Sequence, residues 1–276
     1  MRLLVAIDDS APARDALELT RVLCAATGSS VLLVHVLYVG PLPTQFALLP
    51  DEEASEAGPL FERAREILTG VEVETRTYGG GSPAAIITEL SEKEQLDGIV
   101  VGSPHRHGID RLLAGSVAVS VLNGAQTDVF VAPPGYAERP HDGLATVAVG
   151  YLGTAESKVA LKRARELVEP EGELKLMTVY EPPVALSFAG PNVAVPPDPE
   201  AVIAEGLSLL PREMKVETRR LEGSAAAELE KACAEGVDLL VLGSRGYGPV
   251  MRVLLGSVSG QVFRHAPCPL LITRRP

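Results

Sequence analysis

Short apolar runs alternate along this chain with stretches of helical period. Leu3-Leu-Val-Ala-Ile7 is an unbroken apolar run of the kind a buried strand carries. From Ala13 to Ala26, residues Ala16, Leu17, Leu19, Val22 and Leu23 recur at helical spacing, and Gly28 predicts the helix end. Val31–Val36 reads as a second buried strand, and residues 40–59, rich in Pro, Glu and Ala, as a long, partly mobile loop. Leu60–Leu68 reads as a helix. Val71–Thr77 alternates as a strand with one wet face, and Ser82-Pro83 starts a helix from Ala84 to Lys93. A strand at Asp97–Val101, a helix at Ser116–Leu122 and a strand at Val129–Ala132 follow.

The same order then returns. Strands are expected at Val147–Val149, Leu174–Val179, Lys215–Arg219, Val237–Leu242 and Leu270–Thr273. Helices are expected at Ala155–Val168, Glu200–Leu210 and Ala225–Ala234, with a Pro-rich loop over 182–199 and a last helix from Val258, capped by Ser257. The halves also match residue by residue. Val73-Glu-Thr-Arg76 recurs as Val216-Glu-Thr-Arg219, and Leu113-Ala-Gly-Ser-Val117 as Leu254-Leu-Gly-Ser-Val258. A period this long indicates a duplicated domain. We divide the chain into a first domain over 1–135, a linker over 136–144 and a second domain over 145–276. Strands alternating with helices imply a parallel sheet with right-handed crossovers in each. Ligands on such sheets bind beyond the carboxyl ends of the strands, where the strand order reverses.

Composition narrows the partners. The formal charge of −11 argues against a general nucleic-acid or anionic-membrane surface. No apolar run reaches the ~20 residues that a membrane helix needs. The three cysteines, Cys24, Cys233 and Cys268, lie far apart, which fits thiols in a reducing cytoplasm. His105 and His107 are the closest histidine pair, without metal-ligand spacing.

The chemistry concentrates after the apolar run 237–242. Gly243, Ser244, Arg245 and Gly246 leave the strand, and nine residues later Gly256-Ser257 precede Val258 and Ser259 at a helix start. Unpaired N–H groups and the helix dipole there favour an anion such as a phosphate. A glycine-rich turn that binds nothing is the plainer reading of the same residues. The lysine of a phosphate-loop NTPase is missing, and Met251 stands where a dinucleotide fingerprint needs its third glycine.

The spacing Gly243, two residues, Gly246, nine residues, Gly256-Ser257, on a chain that carries the unit twice, resembles the nucleotide-binding signature of the universal stress protein family. The resemblance spans essentially the whole chain. It implies an α/β fold of two doubly wound, five-stranded parallel-sheet domains, Rossmann-like and similar to adenine nucleotide α-hydrolases. Members commonly pair through their last strands, which implies an internal pseudo-dimer and leaves room for a homodimer. Many bind ATP, here expected with Mg²⁺.

Carried over by position, the second half holds Val179, Gly243, Ser244, Arg245, Gly246, Gly256, Ser257, Val258 and Ser259 as nucleotide-binding residues. The first half offers a second, weaker site of Asp8, Val36, Gly102, Gly115, Ser116 and Val117. His105 replaces its middle glycine and Ala118 the hydroxyl of Ser259. The second half has Gly150-Tyr151 in the place of Asp8-Asp9 and lacks the carboxylate. Asp8-Asp9-Ser10 also reads simply as a helix cap. The functional expectation is an ATP-binding regulatory module of stress response with at most slow hydrolysis. Its rivals are an interaction scaffold with a relic loop and a true ATPase or nucleotidyl transferase.

Overall fold

The structure, a computed structural model, describes residues 1–37, 47–50, 55–104, 117–141, 143–180, 198–244 and 255–274. It divides into two compact units that part between Gly143 and Leu144. In the first, β1 (Arg2–Ala6), α1 (Ala11–Thr27), β2 (Ser30–Leu37) and β3 (Ala47–Leu48) lead to α2 (Gly58–Ile67). Then come β4 (Val73–Gly79), α3 (Pro83–Lys93), β5 (Gly98–Gly102), α4 (Val117–Leu122) and β6 (Asp128–Ala132). The second unit runs β7 (Thr146–Gly150), α5 (Ala155–Leu167), β8 (Glu173–Tyr180), α6 (Pro199–Ser208) and β9 (Val216–Glu222). It closes with α7 (Ala225–Cys233), β10 (Leu239–Gly243), α8 (Ser257–His265) and β11 (Leu270–Thr273).

Within the first unit the parallel strands lie in the order β4-β2-β1-β5-β6, and within the second β9-β8-β7-β10-β11. The order reverses between β1 and β5, and between β7 and β10. The central residues of the inner strands β1, β7 and β10 are apolar and buried, as a parallel sheet covered on both faces requires. Leu3, Leu4, Val5, Leu239, Leu240 and Val241 are all fully buried, each contributing about 1.5–3 kcal/mol of transfer free energy. The outer strand β9 alternates half-buried with exposed residues over most of its length, as a strand with one wet face should.

Three expectations change. The first half of the stretch 40–59 lies largely outside the described residues, but its end is ordered. Ala47–Leu48 pair antiparallel with β4, a 3₁₀ turn occupies Ser55–Ala57, and α2 begins at Gly58. Residues 136–141 of the expected linker, with Gly135 before them, pack on α1. The Asp15 carboxylate, only 1% exposed, accepts the Gly135 and Ala137 amides at 2.9 and 2.8 Å, and the buried Tyr136 ring stacks on His141. The third change, at the start of α8, is described with the site below. Most of 182–199 lies outside the described residues.

The repeated Val-Glu-Thr-Arg segment has a structural role in both units. In β4, Arg76 pairs with Glu74 at 2.6 Å and with Glu94 beyond the end of α3, while Arg2 of β1 bridges the same two carboxylates at 2.6 and 3.0 Å. In β9, Arg219 likewise joins Glu217, at 2.6 Å, to Glu235 beyond α7. Each arginine therefore ties an outer strand to the end of the helix that follows it.

The Arg76 hydrogen bond holds the Glu94 carboxyl below its ordinary value of 4.5. A depressed folded-state value stabilises above the unfolded value and is lost as pH falls through the folded one. Arg76→Met should thus cost on the order of 1 kcal/mol at pH 7, with the difference from wild type shrinking at pH 3. Urea unfolding at both pH values measures this, and an equal difference at both would refute it.

Candidate functional site

Each unit opens a cleft at the carboxyl ends of its strands, at the reversal of strand order. The first, about 230 Å³, is lined by Ile7 and Asp8 beyond β1, Val36 of β2, Gly102 of β5 and Val117 and Ala118 of α4, among others. The second, about 410 Å³, gathers Leu152, Glu156, Val179, Ser244, Gly256, Val258 and Ser259. Small-molecule sites usually measure ~300–1,000 Å³. The second cleft falls in that range and the first below it.

The two clefts share a frame. The Ile7 amide donates to Val34 O and the Tyr151 amide to Met177 O, both at 2.8 Å. A side chain on the neighbouring strand then holds the next carbonyl: His35 Nδ1 donates to Ile7 O, and the Thr178 hydroxyl to Tyr151 O. Ser10 and Thr154 cap the helices that follow. This register makes Leu152 the counterpart of Asp8, one residue beyond the Gly150-Tyr151 pair that the sequence suggested. Leu152 is 53% exposed and lines the cleft, so the carboxylate of the first unit is replaced by an apolar side chain.

Asp8 itself serves its own turn. One carboxylate oxygen accepts the Ser10 amide at 3.0 Å and the Ser10 hydroxyl, and Asp9 pairs with Arg63. Asp8 remains exposed at the cleft wall.

The strand-exit glycines have a packing reason. A Cβ on Gly102 would lie 1.9 Å from the Pro12 carbonyl oxygen, and one on Gly243 would lie 2.8 Å from the Glu156 backbone. Both therefore let the first turn of α1 or α5 close onto the sheet. Neither has the positive φ of a left-handed turn.

At α8 the cap is Gly256, and Ser257, expected as the cap, is the first helical residue. Glycine offers no capping side chain, so the helix is closed from the other direction. Ser259 Oγ accepts the Gly256 amide at 2.8 Å. The amides of Ser257, Val258 and Ser259 lie in the first turn, where no helical carbonyl is available to them. Helix α8 runs nine residues and carries Arg264 and His265 at its far end, in favour of its dipole. In the first unit, the described part of α4 is six residues long, and buried Ala118 stands in the place of Ser259.

Among the described residues, the buried Ser244 hydroxyl of the second cleft has no hydrogen-bond partner. Burial, with the Glu205 carboxylate nearby, pushes the Tyr151 phenol up to about 12. Leu152, Glu156, Met177, Ala225, Leu229 and Leu242 line this cleft without belonging to any motif, so sequence reading missed them. Of the expected residues, Val179, Gly243, Ser244, Gly256, Val258 and Ser259 meet at the second cleft, and Asp8, Val36, Gly102 and Val117 at the first. Ser257 is exposed beside them. Arg245, Gly246, His105, His107, Gly115 and Ser116 lie outside the described residues. Among the described residues no group of three or more His, Cys, Asp or Glu is placed to hold a metal. No described helix is long and apolar enough to cross a membrane.

The sequence model of the Universal stress protein family matches residues 1–133 and again 144–274. A universal stress protein of Mycolicibacterium smegmatis is 26% identical over 99% of this chain and 96% of its own. A universal stress protein of Thermus aquaticus is 35% identical over 47% of this chain and 98% of its own. The crystal structure of a universal stress protein from Archaeoglobus fulgidus superposes with a TM-score of 0.68 at 22% identity, covering 99% of this chain and 96% of that one. The fold is therefore two doubly wound domains of that type.

Proposed function

Since the chain belongs to the universal stress protein family, we propose that it is an adenine-nucleotide-binding module whose second unit holds ATP. The observation that carries this reading is the 410 Å³ cleft at the switch point, closed by the start of α8 with its first-turn amides facing no helical carbonyl. Phosphates would lie against residues 256–259, with the Ser259 hydroxyl proton and the unpartnered Ser244 hydroxyl as further donors. The base would lie towards Val179 and Met177. Mg²⁺ would be held chiefly by the phosphates and water, as is usual for an ion that dehydrates reluctantly. The first unit, with its smaller cleft and Ala118 in place of a serine, binds weakly or not at all.

Such a module acts through binding. ATP at a hundred times its Kd adds about 2.7 kcal/mol to the stability of the unit that holds it, and a cytoplasmic partner that reads the ordered state would sense the nucleotide. Titration of Mg-ATP into nucleotide-free protein tests the reading, with about one ATP per chain expected. Two per chain would mean that the first cleft is competent. None at millimolar ligand would leave the interaction-scaffold reading in its place.

A further inference from the structure

We propose that Glu156 makes the second cleft selective for ribonucleotides by accepting hydrogen bonds from the sugar hydroxyls, an inference that rests on the nucleotide reading above. Glu156 is the only charged side chain in the described lining of the cleft. It lies half-buried in the first turn of α5, and its carboxylate makes no ion pair or hydrogen bond among the described residues. The other polar groups of that wall are committed. Thr154 Oγ1 accepts the Ser157 amide at 3.2 Å, and Ser157 Oγ donates to Thr154 O at 3.0 Å. In the first unit the same position is Pro12, which offers no side-chain acceptor, and the carboxylate there stands at Asp8. The acid of the second cleft thus comes from the helix, one turn beyond the strand end that Leu152 occupies.

Topology places this carboxylate where a ribose would pass. The phosphate end of the cleft is the start of α8, which follows β10, and the base end is Val179 on β8. Strand β7 lies between them, and the Glu156 backbone packs against Gly243 at the exit of β10. A nucleotide laid from α8 to Val179 therefore brings its sugar past the first turn of α5. An ionised carboxylate accepts hydrogen bonds and donates none, so it matches a 2′,3′-diol and repels a phosphate at either position.

As a first-turn acid Glu156 also favours the α5 dipole. That role is indifferent to a ligand's 2′-hydroxyl, and the test reads the hydroxyl. ATP and 2′-deoxy-ATP are titrated into wild type, Glu156→Gln and Glu156→Ala, with magnesium and again with EDTA, after matching thermal melts show that the variants fold. A hydrogen bond to a charged group predicts that wild type binds ATP roughly 10-fold tighter than 2′-deoxy-ATP. In Glu156→Ala, ATP should lose both sugar-hydroxyl bonds and 2′-deoxy-ATP only its 3′-hydroxyl bond, so that the two nucleotides bind alike within about twofold, and Glu156→Gln should retain part of the preference. Equal binding of both nucleotides by wild type overturns the proposal. So does a parallel loss of both in Glu156→Ala, and if that loss disappears in EDTA the carboxylate serves a cation instead. Failure of wild type to bind either nucleotide overturns the nucleotide reading itself.

Discussion

Gly102→Ala should destabilise the first unit by ~3 kcal/mol or more, the range of overpacking at a rigid contact. The added methyl would meet the Pro12 carbonyl oxygen at 1.9 Å, its carbon at 2.5 Å and its Cα at 2.7 Å. These are backbone atoms, which cannot swing aside as a side-chain terminus can. Relief requires the whole first turn of α1 to move outward. That turn is held by the Ser10 cap and by the packing of α1 over β5, so the displacement would spread along the helix. The melting temperature should fall by about 10 °C, taking ~2–4 °C per kcal/mol for a domain of this size. Gly58→Ala is the control. A Cβ there meets nothing within 4 Å, and the position begins α2 without a positive φ. Thermal unfolding of the two variants side by side decides the matter. If Gly102→Ala melts like Gly58→Ala, the close approach of α1 is not what demands a glycine at the strand exit.

Val258→Asp should reduce ATP affinity by roughly 100-fold while leaving the free protein as stable as before. The second residue of α8 is half-buried at the cleft, in the turn whose amides face outward. A carboxylate there favours the helix dipole, which offsets the loss of a partly buried apolar side chain. Towards a phosphate it is a like charge. At ~6 Å and an effective dielectric constant of ~20 the repulsion is about 3 kcal/mol, or somewhat over two orders of magnitude in affinity. Adenosine, which has no phosphate, should lose far less. Calorimetric titration of both ligands separates the effects. Unchanged ATP binding would place the phosphates away from α8, and an equal loss for adenosine would mean that the cleft had been deformed.

Both predictions concern positions that sequence analysis singled out, but for different reasons. Gly102 and Gly243 stood out as parts of a phosphate loop, whereas in the structure their missing side chains make room for Pro12 and Glu156. Packing and ligand approach both ask for glycine, and a sequence motif records only that a glycine is there. Ser257 likewise read as a helix cap because serine usually is one. The boundary falls one residue earlier, since Ser259 closes the turn from inside the helix.

The amino-acid sequence by itself determined the order of the main elements, the duplication and the fold class, and through these the end of each sheet where a cleft opens. Apolar runs bounded by glycine and proline report burial and turns directly, because strand and helix periods are local properties of the chain. The motif around Gly243–Ser259 was legible for the same reason, being continuous or nearly so. Tertiary structure alone decided the walls of the cleft. Leu152 takes in the second unit the place that Asp8 has in the first only through the register of β7 on β8. Glu156 enters the site only because α5 closes over a strand far away in sequence, and the two clefts differ in volume through side chains drawn from several elements each. Such contacts join residues tens of positions apart, and no period or spacing along one chain encodes which of them will meet.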